Sequence, residues 1–188
     1  TNLKILEDVP LQHKIRDETI EIAKTHGFDG IVLDLEVSAL PTEELKQQLN
    51  MFITDFSAAV KSENLTFMMT VYGDNFYRAR PYDLANLTTD TDQFLLMMYD
   101  LHKASGEPGP NFPLSKGSKY EYDFESAISE FQKFIPLEKI TVVFGMYGYD
   151  WIVDEKGRPI KPAQSLSVND IRNNHSNDCN GEKCEFTD

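Results

Sequence analysis

The stretch GFDGIVLDLE, residues 27–36, decides the fold that the sequence predicts. Its apolar run ends in two acids, Asp34 and Glu36, and the side chains of a strand alternate between its two faces. The apolar face of the predicted strand would consist of Ile31, Leu33 and Leu35. The opposite face begins with Val32 and becomes acidic at Asp34 and Glu36, so both carboxyls are expected on one side of the strand's carboxyl end.

Helices and strands alternate along the rest of the chain. The helical pattern covers residues 17–27, 41–64 and 123–136. The strand pattern covers residues 30–38, 65–73, 93–100 and 139–151. Only a short polar connection joins the second predicted strand to the third. Almost continuously apolar strands between helices predict a parallel α/β sheet covered on both faces, and the pattern suits either a (β/α)8 barrel or an open doubly wound sheet.

The carboxyl ends of the predicted strands carry acids and aromatic rings, and such ends form the sites of parallel α/β folds. Besides Asp34 and Glu36, the candidates at these ends are Tyr72, Met97, Tyr99, Asp100, Tyr147, Tyr149 and Trp151. Rings that stack on sugar faces, next to acids that bind hydroxyls and amides, predict a carbohydrate site. Two neighbouring carboxyls raise the pKa of one of the pair, and a carboxyl that keeps its proton near neutral pH is a general acid.

A divalent cation is the alternative ligand for Asp34 and Glu36, because pairs of carboxylates also bind Mg²⁺ or Ca²⁺. The neighbouring strand ends offer no third clear carboxylate or histidine to complete such a site. The sequence therefore favours a site without metal, and no cofactor is expected.

The overall charge excludes some classes of partner. The chain of 188 residues has a formal net charge of −13 and a sequence pI of about 4.7. An acidic surface repels phosphate backbones and anionic lipid, so neither nucleic acid nor a membrane is expected as a partner. A neutral or cationic substrate is compatible with this charge, which serves solubility equally well.

Four short motifs follow one another between residues 29 and 151. They are DGIVLDLE at 29–36, LLMMYD at 95–100, the loop YDLHKASGEPGPNFPL at 99–114 and MYGYDW at 146–151. The first resembles the DxxDxDxE motif of glycoside hydrolase family 18, the family of chitinases and related enzymes. The second resembles the M-x-Y-D of that family's sixth strand, and the third resembles the loop after it. The last resembles the Y-G-Y-D-W motif on the seventh strand of the subgroup that includes spore-cortex peptidoglycan hydrolases and chitinase-like proteins.

The resemblance implies a (β/α)8 TIM barrel, of which this chain would supply about strands 4 to 7. Residues 1–151 would form the barrel part, and residues 152–188 would open an α+β insertion after strand 7 or form a flexible loop. A half-barrel would leave strand edges unpaired. The missing barrel strands are therefore expected from residues outside this sequence or from another chain.

The resemblance also implies an activity and its residues. It implies hydrolysis of β-1,4 linkages next to N-acetylglucosamine, in chitin-type or peptidoglycan-type glycans, by a retaining mechanism in which the substrate's own acetamido group attacks. Glu36 would be the general acid, Asp34 would orient the acetamido group, and Tyr99 would bind its carbonyl. The substrate-binding residues would be Asp29, Met97, Asp100, Tyr72, Tyr147 and Trp151.

Two positions depart from the family pattern. Val32 stands where the family has its middle acid, an acid that normally shares a proton with the next one, and Gly145 stands where the subgroup often has proline. The alternative function is a chitinase-like protein that binds carbohydrate without cleaving it. Family lectins often lose the acid, so the retained Glu36 favours the enzyme.

Secretion is predicted from two further features. Cys179 and Cys184 are spaced to close a small disulfide loop, which forms in oxidising compartments. Three glycosylation sequons begin at Asn64, Asn86 and Asn174. We expect an extracellular location and a disulfide between the two cysteines.

Overall fold

The computed structural model of the chain describes residues 2–37, 39–115, 121–175, 179–180 and 183–184. The chain is a mixed α/β structure whose residues form two compact units. The first unit comprises Thr1–Met97 and Glu125–Val142, and the second comprises Met98–Phe124 and Val143–Asp188.

A four-stranded sheet runs in the order β1-β2-β3-β4, with β1 parallel to β2 and β2 parallel to β3. Its strands are β1 (Gly30–Leu33), β2 (Thr66–Tyr72), β3 (Gln93–Met98) and β4 (Ile140–Phe144). The helices before and between them are α1 (Asn2–Leu6), α2 (Val9–His26), α3 (Glu43–Ser62), α4 (Leu84–Asp90) and α5 (Phe124–Phe131), with a 3₁₀ turn at Leu137–Lys139. The remaining elements are β5 (Tyr147–Asp150), β6 (Gln164–Ser167), α6 (Val168–His175), β7 (Cys179–Asn180) and β8 (Lys183–Cys184).

Local signals set the ends of the two long helices. Thr42 caps α3, because its hydroxyl accepts the Leu45 N–H at 3.2 Å. Gly27 ends α2 in the left-handed conformation, at φ 68°, which glycine adopts without strain. Helix α2 begins at Val9, eight residues before the predicted start, after its cap residue Asp8.

Helix α3 packs on one face of the sheet. The ring of Phe56 in α3 lies 5.9 Å from the ring of Phe67 in β2, centroid to centroid. The fully buried sheet residues on this face are Phe67, Met69, Val71, Phe94, Leu96 and Met98. The opposite face is more open on β1, where Val32 keeps 44% of its surface exposed. In a (β/α)8 barrel this second face of the strands packs toward the barrel interior, whereas the first face packs against helices.

Two predicted elements differ from the structure in kind rather than only in length. The predicted strand 139–151 is two strands: β4 joins the parallel sheet, whereas β5 pairs antiparallel with β6. The predicted polar connection before β3 contains helix α4, which is capped by Asp83 and buries Leu84 and Leu87. Leucines three apart on so short a helix give too weak a pattern to separate it from a loop.

The last strands lie at the end of the described chain. The backbone of Cys179 pairs with that of Cys184 in the hairpin of β7 and β8. The side chains of both cysteines lie outside the described part of the chain, so the disulfide stays a prediction. The proposed division into residues 1–151 and 152–188 also stays a prediction. None of the described helices is both long and apolar enough to cross a membrane.

Candidate active site

The two acids that follow β1 lie on its open face. Asp34 and Glu36 are exposed, whereas Ile31 and Leu35 are buried. The alternation of faces continues beyond Leu33, where the strand itself ends. The predicted separation of an apolar face from an acidic face is confirmed.

A hydroxyl on β2 holds Asp34. The Thr70 hydroxyl donates to the Asp34 Oδ1 at 2.6 Å. This contact arises from the strand register, which pairs Leu33 with Met69 and so places Thr70 beside the residue that follows Leu33. The contact fixes the orientation of the Asp34 carboxyl while leaving its second oxygen available to a ligand.

A phenol on the same strand contacts Glu36. The Tyr72 hydroxyl donates to the Glu36 Oε2 at 3.2 Å. Burial raises the pKa of Tyr72 well above its usual range, and the negative charge of Glu36 raises it further. Tyr72 therefore remains a neutral donor at physiological pH.

A buried ion pair supports the ring of Tyr72 from behind. The Arg80 guanidinium lies 3.8 Å from the ring centroid, a cation–π contact. Asp74 holds Arg80 in place, because Arg80 Nη2 donates to Asp74 Oδ1 at 2.8 Å and to Oδ2 at 2.9 Å. Arg78 also donates to Asp74. Asp74 and the side chain of Arg80 are almost fully buried, so Tyr72 has a rigid support.

Two further predicted residues lie along the same sheet. Met97 on β3 is the register partner of Tyr72, and its buried side chain lies on the face that carries Tyr72. Asp29 precedes β1 and therefore lies at the amino end of that strand, away from Asp34 and Glu36. Its backbone carbonyl accepts the Thr66 N–H at 2.9 Å. The structure does not bring Asp29 to the carboxyl end.

A second cluster is built around Asp100, in the second unit. The hydroxyls of Tyr147 and Tyr149 both donate to Asp100 Oδ1, at 2.5 and 2.7 Å. Asp100 has a left-handed backbone, with φ 58°, which is uncommon for any residue but glycine. Asn111 stabilises this turn, because its Oδ1 accepts the Asp100 N–H at 2.5 Å while its Nδ2 donates to the Tyr147 carbonyl at 3.2 Å.

Aromatic rings follow one another through this second cluster. Ring centroids are 6.2 Å apart for Tyr99 and Tyr147, 5.6 Å for Tyr147 and Tyr149, and 5.4 Å for Tyr149 and Trp151. Burial, followed by the contact with Asp100, raises the pKa of Tyr147 and of Tyr149. Within the described chain, the buried indole nitrogen of Trp151 has no hydrogen-bond partner.

The close packing of this cluster explains one departure from the family pattern. A Cβ atom at Gly145 would lie 2.8 Å from the Tyr147 ring and 2.9 Å from the side chains of Asn111 and Tyr99. Any larger residue at this position, proline included, would displace the rings. Gly145 is therefore required by the packing around Asp100.

The structure thus groups the predicted residues in two sets. In the first unit it brings together Asp34, Glu36, Tyr72 and Met97. In the second it brings together Tyr99, Asp100, Tyr147 and Trp151, with Tyr149. The roles assigned to these residues in catalysis and substrate binding stay predictions.

Sequence reasoning missed the residues that hold the acids and rings. They are Thr70, Asp74, Arg80, Asn111 and Tyr82, whose ring lies 6.2 Å from that of Tyr72. Strand alternation signals one of them, because Thr70 shares a face with Tyr72 in TVYGDN. The others depend on contacts between loops and strands that no local pattern indicates.

The described residues do not assemble a metal site. Among the residues that the structure describes, no group of three or more His, Cys, Asp or Glu side chains could hold a metal ion.

Comparison with known proteins identifies related chains. A family model described as glycosyl hydrolases family 18 matches residues 4–185. A class V chitinase of Arabidopsis thaliana is 26% identical over 178 residues, which are 83% of this chain and 46% of that protein. The solved chitinase of Chromobacterium violaceum ATCC 12472 has a TM-score of 0.71 at 22% identity, covering 90% of this chain and 50% of the other. The spore cortex-lytic enzyme SleL of Bacillus cereus has a TM-score of 0.68 at 23% identity, covering 87% of this chain and 35% of the other.

These similarities confirm the predicted fold class, an α/β chain that forms part of a TIM barrel. The chain spans about half the length, or less, of these three relatives.

Proposed function

The chain belongs to glycosyl hydrolase family 18, and on that premise we propose that it cleaves β-1,4 linkages next to N-acetylglucosamine with Glu36 as the general acid. The observation that carries this proposal is the pair of exposed acids after β1, each held by a hydroxyl of β2. One acid able to donate a proton and one held in a fixed orientation are what a substrate-assisted glycosidase requires.

The proposed reaction begins with proton transfer. Glu36 donates its proton to the oxygen of the glycosidic bond as that bond breaks. The carbonyl oxygen of the substrate's 2-acetamido group attacks the anomeric carbon from the opposite side and forms an oxazolinium ion. Water then attacks the anomeric carbon and gives a proton to Glu36, while the bond from that carbon to the acetamido oxygen breaks, so two inversions give net retention.

Asp34 has two roles in this proposal. Its carboxylate accepts a hydrogen bond from the acetamido N–H, which orients the attacking carbonyl. Its negative charge then stabilises the positive charge of the oxazolinium ion. The hydrogen bond from Thr70 supports both roles, because it prevents the carboxyl from rotating away from the sugar.

The aromatic cluster around Asp100 supports a carbohydrate ligand. Rings such as Tyr147 and Trp151 offer flat apolar surfaces for the faces of sugar rings, and Asp100 offers an acceptor for hydroxyls. The family resemblance further assigns Tyr99 to the acetamido carbonyl and Met97 to the same sugar. We carry both assignments forward as part of the proposal.

The relatives indicate two classes of glycan. One is described as a class V chitinase and another as a spore cortex-lytic enzyme. We therefore propose chitin-type or peptidoglycan-type glycans as substrates, and an extracellular location where such glycans occur.

The test is product analysis. The full-length protein is incubated separately with N-acetylglucosamine oligomers and with purified peptidoglycan, and the products are identified by mass spectrometry. We expect shorter oligomers from at least one glycan, with the β anomer formed first, and inhibition by a thiazoline analogue of the oxazolinium ion. An α anomer as first product would contradict the mechanism. Tight binding without any product would identify a carbohydrate-binding protein instead.

A further inference from the structure

The position of Glu36 depends on a segment that lies beyond its strand. Strand β1 ends at Leu33, three residues before Glu36. The residues on either side of Glu36 are nevertheless buried, since Leu35 keeps 6% and Val37 keeps 2% of its surface exposed. Their backbone groups therefore need hydrogen-bond partners inside the protein.

A single hydroxyl supplies those partners. The Tyr82 hydroxyl donates to the Leu35 carbonyl at 2.5 Å and accepts the Val37 N–H at 2.9 Å. Leu35 and Val37 directly precede and follow Glu36 in the chain. The hydroxyl therefore bridges the backbone across Glu36 and restricts the direction in which its side chain leaves the main chain.

The ring of Tyr82 also contacts the side-chain partner of Glu36. It lies 6.2 Å from the ring of Tyr72, centroid to centroid, with an interplanar angle of 58°. Tyr72 in turn donates to Glu36. Tyr82 thus acts on both the backbone of Glu36 and the residue that holds its carboxyl.

The protonation state of Tyr82 suits this bridging role. Burial raises the pKa of Tyr82 to about 12. The phenol therefore keeps its proton at physiological pH, so it remains able to donate to the Leu35 carbonyl while it accepts from Val37.

We propose that Tyr82 is a positioning residue for the general acid, holding Glu36 in its productive orientation by bridging the backbone of Leu35 and Val37. It acts through Glu36 and does not itself touch the substrate. The catalytic part of this inference depends on the proposed function of Glu36, whereas the bridging itself does not.

The test compares Tyr82→Phe with Ser57→Ala in the full-length protein. Phenylalanine keeps the ring and removes only the bridging hydroxyl. Ser57 is a matched control, because it is also buried in the same unit and its hydroxyl donates to the Asp90 carbonyl at 2.5 Å. Its hydrogen bond involves neither Glu36 nor the residues beside Glu36.

With N-acetylglucosamine oligomers as substrate, we expect Tyr82→Phe to lower kcat by about tenfold or more and to change KM by less than about twofold, because misplacing a catalytic group impairs the reaction more than binding. Ser57→Ala should change both constants by less than about twofold. A fall in kcat of similar size in Ser57→Ala would show that losing a buried hydroxyl elsewhere in this unit impairs the reaction equally, and would overturn the proposal.

Hydrogen–deuterium exchange tests the bridge without reference to activity. The Val37 amide should be protected in the wild type and exchange at least about tenfold faster in Tyr82→Phe, but not in Ser57→Ala. This pattern in a protein that hydrolyses no glycan would support the bridge and contradict the proposed function. An unprotected Val37 amide in the wild type would overturn the bridge even if Tyr82→Phe did not fold.

Discussion

For the two acids of the site, neighbouring residues in the sequence determine some properties and not others. That Asp34 and Glu36 share an exposed face is predictable, because alternation along a strand is a local property. Their partners, Thr70 and Tyr72, each lie 36 residues later in the chain. Those contacts depend on the register of β1 against β2, which a single sequence does not reveal.

The side chain at position 32 changes the surroundings of Asp34. Where the family has a second acid, Val32 exposes an apolar side chain. Asp34 instead accepts a hydrogen bond from the neutral Thr70 hydroxyl. The orientation of Asp34 in this chain is therefore expected to depend on Thr70.

Replacing Thr70 with valine tests that dependence. Thr70→Val keeps the shape of the side chain but removes the donor to Asp34, so we expect kcat to fall by about three- to tenfold. Asp34→Asn should cost more, because it also removes the charge that stabilises the oxazolinium ion. Thr70→Ser retains the hydroxyl and serves as the control. Steady-state kinetics on N-acetylglucosamine oligomers measures all three, and a Thr70→Val variant with the wild-type kcat would show that Asp34 is oriented by other groups.

Alkaline pH offers a separate measurement on Tyr82. Folding raises the pKa of Tyr82 from its ordinary value of about 10 to about 12, so between these values the unfolded chain releases the proton first. The stability that Tyr82 contributes is complete below pH 10 and is lost as the pH rises through 12. In urea unfolding, the free energy of unfolding of the wild type should exceed that of Tyr82→Phe by about 1–3 kcal/mol near neutral pH, and this difference should shrink above pH 10. A difference that grows with pH would contradict the assigned direction.

At the scale of secondary-structure elements, the sequence predicts long elements better than short ones. Helix α3 has its cap and its apolar face in the sequence itself, so its prediction is confirmed. The break between β4 and β5 was missed because the apolar and aromatic run from residue 139 to 151 contains no turn signal except glycine. Which sheet β5 joins is decided by pairing with the polar strand β6, for example Tyr147 with Ser167.

The turn at Asp100 is the element that most clearly depends on one side chain. We expect Asn111→Ala to destabilise the protein by about 1–3 kcal/mol, because it removes the acceptor for the Asp100 N–H and the donor to the Tyr147 carbonyl. The control is Asn86→Ala, which removes an exposed side-chain contact to Asp83 and should cost less than about 0.5 kcal/mol. Urea unfolding measures both, and equal losses would show that Asn111 does not stabilise the turn.

At the scale of the whole molecule, the alternation of strands and helices predicts a parallel α/β sheet, and the family resemblance selects a barrel over an open sheet. The resemblance also predicts that the chain supplies only part of a barrel, and the chain spans about half the length, or less, of the relatives compared. The barrel strands that would complete the sheet beyond β1 and β4 stay a prediction, as does the extracellular location. The net charge of −13 is also a property of the whole chain, because it acts on any charged ligand at long range.

The charge predicts different salt dependences for the two candidate glycans. Hydrolysis of neutral N-acetylglucosamine oligomers should change by less than about twofold between about 0.05 M and about 0.5 M salt, because an uncharged substrate feels no net Coulomb force. Hydrolysis of peptidoglycan, whose peptides carry carboxylates, should accelerate as salt screens the repulsion. Initial rates at a series of salt concentrations measure both. A steep fall in the rate of hydrolysis of neutral oligomers with rising salt concentration would contradict this account of the charge.

The most direct measurement of the central claim is product formation by Glu36→Gln. Glutamine keeps the size of the side chain and an oxygen that accepts from Tyr72, but it has no acidic proton to transfer to the glycosidic oxygen. We predict that the variant binds N-acetylglucosamine oligomers with an affinity within about threefold of the wild type, by calorimetry, while its kcat falls by about a hundredfold or more. Turnover close to that of the wild type would show that Glu36 is not the acid.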